Sequence, residues 1–483
     1  LLAIASCGGN KAHPDAKGDS IPAGCGDGVK MGTEQCDGTD LGGATCATVI
    51  APGWVGAVTC TASCQFNVAG CNTPATTYNP FTAGNWSTFD VSTLFPGAKG
   101  FAGTAFDGKY MYFVANNNGA PDGIVTRYDT TAGFGSSGSW ETFDVSTVSS
   151  TAKGFIGGAF DGRYVYFIPY NNGAYDGVIA RYDTQGTFGD SAAWETFDVS
   201  TVNASAKGFV TAAFDGRYLY LTPHYNGAYH GFAARYDTQA AFATPTSWEI
   251  FDISTVNANA KGFLGSAFDG RYVYYAPYDN GVAVHGNVAR FDTQAAGGFS
   301  AKASWSTFNV ATLNGNLVGF YAMAFDGRYL YLGQHYNGAL AIPAYGGFMA
   351  RYDTQASFTT AGSWSAFNAA ALNGSAVGFV GAAFDGQYVY MVPFANAANS
   401  FHGITVRFDT TKTTAFNQTT SWEMFNIAGL NANAKGYHSA GFDGRYLYYA
   451  PQDDAAATPF GIVARFDTKT PAWLPIGWNR AFD

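Results

Sequence analysis

From Trp86 onward, apolar and polar positions recur in one order, and the second copy shows it whole. Gly154-Phe-Ile-Gly-Gly-Ala-Phe160 is small and apolar, suited to a buried strand. Arg163-Tyr-Val-Tyr-Phe-Ile168 is β-branched and aromatic and predicts a second strand. Pro169, which has no amide hydrogen for the ladder, stops it. Asp161-Gly162 between the two predicts a two-residue hairpin turn, because Gly supplies positive φ. Tyr170 to Gly177 is a long loop, Val178-Ile-Ala-Arg-Tyr-Asp183 a third strand, and Trp194-Glu-Thr-Phe-Asp-Val199 a fourth.

The Phe-Asp-Gly token of this pattern begins at Phe106, Phe160, Phe214, Phe268, Phe325, Phe384 and Phe442. An Arg-Tyr/Phe-Asp-Thr token follows each, from Arg127 to Arg465, and a Trp-x-x-Phe token precedes each, from Trp86 to Trp422. A period of about 55 residues marks a repeat architecture. Four short antiparallel strands per period, seven times over, predict an all-β, seven-bladed β-propeller. The order Tyr182-Asp183 then Trp194, after an Asp-Gly turn and an aromatic strand, resembles the kelch repeat over Trp86 to the C-terminus. Kelch repeats carry Gly-Gly after the second strand where this chain has Ile168-Pro169, so the likeness is kelch-like. It implies that the Trp strand is the outermost of each blade and says little about activity. Trp86 to Asp90 is then a fourth strand that arrives before the first complete blade and can complete the seventh. Trp478 to Asp483 offers the same strand again, and one slot cannot hold both.

Spacing locates a candidate face. Trp to the Asp of Phe-Asp-Gly is 21 residues in every copy, as from Trp86 to Asp107 and from Trp422 to Asp443. From that Asp to the Arg the count runs 20, 20, 20, 21, 25, 22 and 22. Variation therefore collects between the second and third strands, and insertions confined to one loop class point to a binding face. The link from each fourth strand to the next blade shares that face. It carries Lys99, Lys153, Lys207, Lys261 and Lys435, with Val318 and Val377 in two copies. An inner ring takes Asn116, Tyr170, His224, Tyr278, His335, Phe394 and Gln452. Two residues on come Asn118, Asn172, Asn226, Asn280, Asn337, Asn396 and Asp454, and later Asp122, Asp176, His230, His285 and His402, each directly before a Gly. Aromatic rings stack on sugars while amides bond hydroxyls, so glycan is a natural ligand, with a cell-surface protein as the other. The competing reading is structural: Asn-Gly pairs form turns, and the aromatics pack between blades. Asp107 and its equivalents read as turn residues, Tyr110 and its equivalents as core.

The N-terminal part differs. Ile4-Ala5-Ser6-Cys7 resembles a bacterial lipobox, in which the cysteine is lipidated and anchors the chain. Residues 1–7 are read as the end of a lipoprotein signal peptide, 8–24 as a polar tether, 25–71 as a cysteine-rich module, 72–85 as a linker and 86–483 as the propeller. Cys25, Cys36, Cys46, Cys60, Cys64 and Cys71 behind an export signal read as three disulfides, and six cysteines allow 15 pairings. Cys25-Gly26-Asp27-Gly28, Glu34, Cys36-Asp37 and Cys60-x-x-x-Cys64 resemble a small cysteine-rich repeat of myxobacterial surface proteins. Zinc is the rival for these cysteines, without a Cys-x-x-Cys pair to support it. No cofactor is expected; calcium stays open through Asp27, Asp37 and Asp40, and through Asp279, Asp453 and Asp454 in the loops.

Composition narrows the function. At 47% hydrophobic and 12% charged, with net charge −10 and no basic run, the chain suits a large core and not nucleic acid. Membrane contact is expected only through the lipid anchor, at the bacterial outer membrane or cell surface, and the protein is expected to be a monomer. An enzyme, such as a polysaccharide lyase, would need one place that breaks the repeat symmetry. No such place is found, and the propeller lacks the cysteine a kelch-like copper oxidase cross-links to tyrosine. The expectation is a surface-anchored binding or adhesion propeller, with a structural coat role as the further alternative.

Overall fold

The computed structural model describes residues 26, 28–30, 34–49, 55–72, 77–338, 344–397, 400–453 and 458–470. The lipobox with Cys7, the tether, Cys25, Asp27, Asp454 and Trp478 to Asp483 lie outside the described residues. What is described forms two compact units: residues up to Tyr78 with Lys469 and Thr470, and Asn79–Thr468.

The smaller unit is held by Cys36–Cys60 and Cys46–Cys71, and Cys64 is disulfide-bonded as well. Its strands are two residues long, such as Thr59–Cys60 against Phe66–Asn67. Two-residue strands bury little, so covalent links carry the stability such a small module cannot draw from a core. Glu34, Asp37 and Cys64 lie close together and buried, but the Cys64 sulfur is spent in its bridge. Asp37 accepts the Gly26 amide (2.8 Å), and Asp40 accepts those of Lys30 and Gly42.

The larger unit is a seven-bladed propeller of four-stranded antiparallel sheets. Blade one runs Phe101–Phe106, Tyr110–Ala115, Ile124–Asp129 and Trp140–Asp144, and five blades follow in the same order. Blade seven takes Tyr437–Phe442, Tyr446–Pro451 and Ile462–Asp467, and its outermost strand is Trp86–Asp90, with Phe466 opposite Trp86 and Ile462 opposite Asp90. The N-terminal copy of the Trp strand therefore closes the ring. Pro169, expected just beyond the strand, is its last residue and lies opposite Phe155.

First strands are small because they crowd the axis: a Cβ on Gly157 would strike the Val210 carbonyl of the next blade. The first hairpin differs from the expected Asp-Gly turn. Its central residues are Gly162 and Arg163, with Gly162 at φ +100°. The reason lies in Asp161. Its Oδ1 accepts the amides of Arg163 and Tyr164, and its Oδ2 accepts the Tyr166 hydroxyl (2.7 Å). The carboxylate replaces a backbone acceptor and ties the turn to a buried strand residue. The same Tyr–Asp bond recurs in all seven blades, from Tyr112–Asp107 to Tyr448–Asp443.

Aromatic stacking joins the blades. Phe143 of blade one stacks on Trp194 of blade two at 4.7 Å and 14°, and the series returns through Phe425–Trp86 (5.0 Å, 12°) and Phe89–Trp140 (5.5 Å, 20°). The third-strand arginines form a second ring. Arg181 lies between Tyr164 of its own blade (3.9 Å) and Phe242 of the next (4.4 Å). At blade six Phe81, from the stretch read as linker, fills the position of that Phe (4.6 Å from Arg407).

Candidate ligand-binding face

The loops after the second strands and the links between blades meet at one end of the propeller. Asn172 Nδ2 donates to the Thr151 carbonyl (3.0 Å) and Asn226 Nδ2 to that of Ser205 (2.9 Å), each tying a loop to its own blade's incoming link. Asn118 reaches Gly97 in the same way at 3.4 Å. Asn280 turns its Oδ1 onto the amides of Val282 and Ala283. The Asn337 amide donates to the Ala344 carbonyl, and Asn396 lies in a short strand, Ala395–Ala397, paired with Ser400–Phe401. The Asn337 bond is made by its backbone N–H, while the side chains of Asn118, Asn172, Asn226 and Asn280 bond the backbone.

The inner ring is contiguous. Ring centroids run Tyr170–His224 at 6.0 Å, His224–Tyr278 at 5.7 Å, Tyr278–His335 at 6.2 Å and His335–Phe394 at 6.0 Å. Gln452 donates to Asn116 Oδ1 (3.2 Å), and Asn116 in turn donates to the Phe155 carbonyl. Beneath the ring, Tyr321 and His438 meet across the axis. His438 Nδ1 donates to the Ala102 carbonyl (2.7 Å), which leaves Nε2 to accept the Tyr321 hydroxyl (3.1 Å). Together with Val210, Leu264 and Val380 they plug the axis, next to an axial cavity of about 210 Å³ lined mainly by small first-strand residues. His224 and His335 are buried, and desolvation lowers both to about 3.

In five blades the side chain before the loop glycine accepts the amide two residues on; in blade seven the position is Phe460. His230 Nδ1 accepts the Phe232 amide and Nε2 donates to the Lys207 carbonyl (2.9 Å). His285 does the same with Asn287 and Lys261, and His402 with Ile404 and Val377. In blade five the position is Gly346, and Gln334 supplies both bonds from the end of the second strand: Oε1 accepts the Phe348 amide and Nε2 donates to the Val318 carbonyl (2.9 Å). Burial lowers the three histidines to about 4. Asp122 and Asp176 accept the amides of Ile124 and Val178 with Oδ1, but Oδ2 is buried with no partner. Desolvation pushes both up to about 7.

What stays accessible is a set of tyrosines the sequence reading passed over. Tyr175, Tyr225, Tyr229, Tyr336 and Tyr345 are half-buried at the loop surface. Tyr175–Tyr225 centroids lie 4.8 Å apart, Tyr225–Tyr229 4.9 Å and Tyr336–Tyr345 4.7 Å. The signal was present: Tyr225-Asn-Gly-Ala-Tyr229 brackets a tight turn, and its ends pair across a β-bridge that brings the rings together. Val282 beside them is 92% exposed. Lys153, Lys207 and Lys261 are half-buried on the links; among the described residues the lysine ion pairs are Lys109–Asp129 and Lys412–Asp409, so these three ammoniums carry none.

No family model matches this sequence, and no curated protein matches it. Among solved structures, the chain is similar to hydrazine synthase of Kuenenia stuttgartiensis, at 14% identity and a TM-score of 0.46, over 73% of this chain and 93% of that one.

Proposed function

We propose that this protein is a kelch-like binding propeller, exported and lipid-anchored at a bacterial surface, that recognises a glycan or a cell-surface protein on the face of its second-to-third-strand loops. The carrying observation is the set of paired, half-buried tyrosines on that face, with unpaired lysines beside them. Tyrosine offers a large rigid surface with a polar tip, the chemistry of recognition surfaces. Binding is favoured over catalysis because His230, His285 and His402 spend both ring nitrogens on backbone groups, and His224 and His335, whose Nδ1 atoms have no partner, are buried. Export and anchoring are supported by Ile4 to Cys7 and by the disulfides, which persist in oxidising compartments.

The test is a glycan array with the whole chain, run with calcium and with chelator, beside the double variant Tyr225→Ala/Tyr345→Ala. Binding to a defined glycan set, weakened about tenfold or more in the variant, is expected from the loss of two aromatic anchors. A blank array with a folded protein sinks the glycan branch, and capture of a surface protein lost in the same variant establishes the other. Signal that disappears only in chelator adds calcium.

A further inference from the structure

The arginine ring is not uniform, and its exception lies at the opposite end of the strands from the tyrosines. In blades one, two, three and six the third-strand arginine is neutralised by a glutamate of the fourth strand: Arg127–Glu141, Arg181–Glu195 and Arg235–Glu249 at 2.7 Å, and Arg407–Glu423 at 2.6 Å. Blades four, five and seven place Ser306, Ser365 and Ser87 there, and a single Nε–Oγ bond replaces the ion pair. At Arg351 the Nη2 group is taken by the Thr413 carbonyl (2.8 Å) and Nη1 is buried. Arg465 shares the serine bond and the stacking, 4.1 Å from Tyr446 and 4.3 Å from Phe134; Arg290 differs in the surface it faces. It keeps the stacking of the ring, 4.0 Å from Tyr272 and 4.2 Å from Phe358, and it opens onto a groove of about 480 Å³ between blades four and five.

The groove is polar. Arg271, Thr354, Ser357 and Thr359 line it with Arg290, and Asp269 contributes the only carboxylate of the lining. That carboxylate is engaged: Oδ1 by the amides of Arg271 and Tyr272, Oδ2 by the Tyr274 hydroxyl. Arg271 is paired with Asp292 at 2.7 Å. Ser306 takes Nε of Arg290 and the Tyr352 hydroxyl also bonds the guanidinium; what remains is the rest of its outer edge, oriented by two aromatic faces and flanked by the hydroxyls of Ser357 and Thr359 and by the Thr354 oxygen, whose proton goes to the Arg328 carbonyl (2.7 Å). A guanidinium N–H left free beside hydroxyl groups donates a charge-assisted hydrogen bond to an oxyanion. The volume falls within the roughly 300–1,000 Å³ of small-ligand sites.

We infer that the blade-four/blade-five groove binds an acidic sugar residue, its carboxylate or sulfate on Arg290 and its hydroxyls on Thr354, Ser357 and Thr359. The site is independent of the tyrosine face, so either can fail without the other. Calorimetric titration of the whole chain with glucuronate, glucose 6-sulfate and glucose tests it. The two acidic sugars bind and glucose does not. Ser306→Glu restores the ion pair found in four other blades and weakens both by about tenfold or more, the scale of a charge-assisted hydrogen bond. Ser365→Glu, beside an arginine whose Nη2 is already occupied, leaves both unchanged. Should Ser306→Glu melt early, Ser357→Ala reads the same groove without touching the arginine and weakens both sugars. Equal binding of glucose and glucuronate, no binding of the acidic sugars, or unaltered affinity in Ser306→Glu with a folded protein overturns the proposal.

Discussion

In blade three the His230 ring spans the Phe232 amide and the Lys207 carbonyl; in blade five Gln334 spans the same pair of groups from another point in the chain. Asp176 fills the position in blade two but meets only the amide, leaving Oδ2 buried without a partner. A buried unpartnered carboxylate oxygen is costly when ionised, so the folded state holds a proton there until about pH 7, against an ordinary value near 4. A raised acid contributes stability that is complete below its unfolded value and is lost as pH rises through about 7. A buried neutral histidine does the opposite: its contribution is present above its unfolded value near 6.5 and is lost as pH falls through about 4. Asp176→His should therefore stabilise by about 1–2 kcal/mol at pH 8, from satisfied bonds and the removed carboxylate. The gain should shrink below pH 7 and reverse near pH 5. Melting curves at the two pH values decide it, and an unchanged melting temperature at pH 8 would show that blade two does not share the geometry of blade three. This position also shows what the sequence conceals about the site. Asp176, His230 and Asn226 were legible as loop residues facing one end of the propeller, because spacing fixes where a residue lies. Spacing does not show whether its polar atoms are spent on the backbone, as those of His230 and the Asn226 Nδ2 are, or left unpartnered, as Asp176 Oδ2 is.

At the scale of the element, the four strands of each blade were legible to within a residue or two, because glycine, proline and β-branched runs punctuate every copy. The 3-10 turns flanking the fourth strand, such as Ser191–Ala193 and Val199–Thr201, were not. They depend on Asp190 and Asp198 accepting the amides two residues on, a short-range choice that many Asp residues in loops do not make. The role of the third-strand arginine was hidden for another reason: one of its two aromatic faces, Phe242 for Arg181, comes from the neighbouring blade. Two forces hold it, and their sizes differ. Glu195 is 56% exposed in its pair with Arg181, so the charge contributes about 0–1 kcal/mol. Phe242 is 2% exposed, covers the guanidinium and packs against Trp248; its removal leaves a cavity costing about 3–5 kcal/mol. Glu195→Ala should accordingly change denaturant stability little, and Phe242→Ala severely. Equal losses would mean that the ion pair within blade two holds the arginine as strongly as the Phe242 packing from blade three does.

For the whole molecule the decisive feature is that the ring closes with strands from both ends of the chain. Ile462–Asp467 and Trp86–Asp90 form one ladder, with Trp86 stacked on Phe425 of the preceding blade and Phe81 inserted against Arg407. The fourth-strand tryptophans of blades one to six donate Nε1 to the carbonyl of a Phe six residues earlier, as Trp194 does to Phe188. Phe81 is five residues from Trp86, and Trp86 Nε1 has no partner. The closing copy thus keeps the packing and loses the bond. Without it, the third strand of blade seven becomes an open edge, and open edges pair with other chains. Removing residues 79–90 should lower the melting temperature and give concentration-dependent association in light scattering, while Trp86→Ala should keep the ring closed at a cost of about 3–5 kcal/mol. If the shortened chain stays monomeric and melts as the full chain does, the slot has been taken by the other copy, Trp478 to Asp483, and closure by the N-terminal strand is not required. If it associates, closure at blade seven is what keeps a repeat of self-similar sheets from continuing into the next molecule.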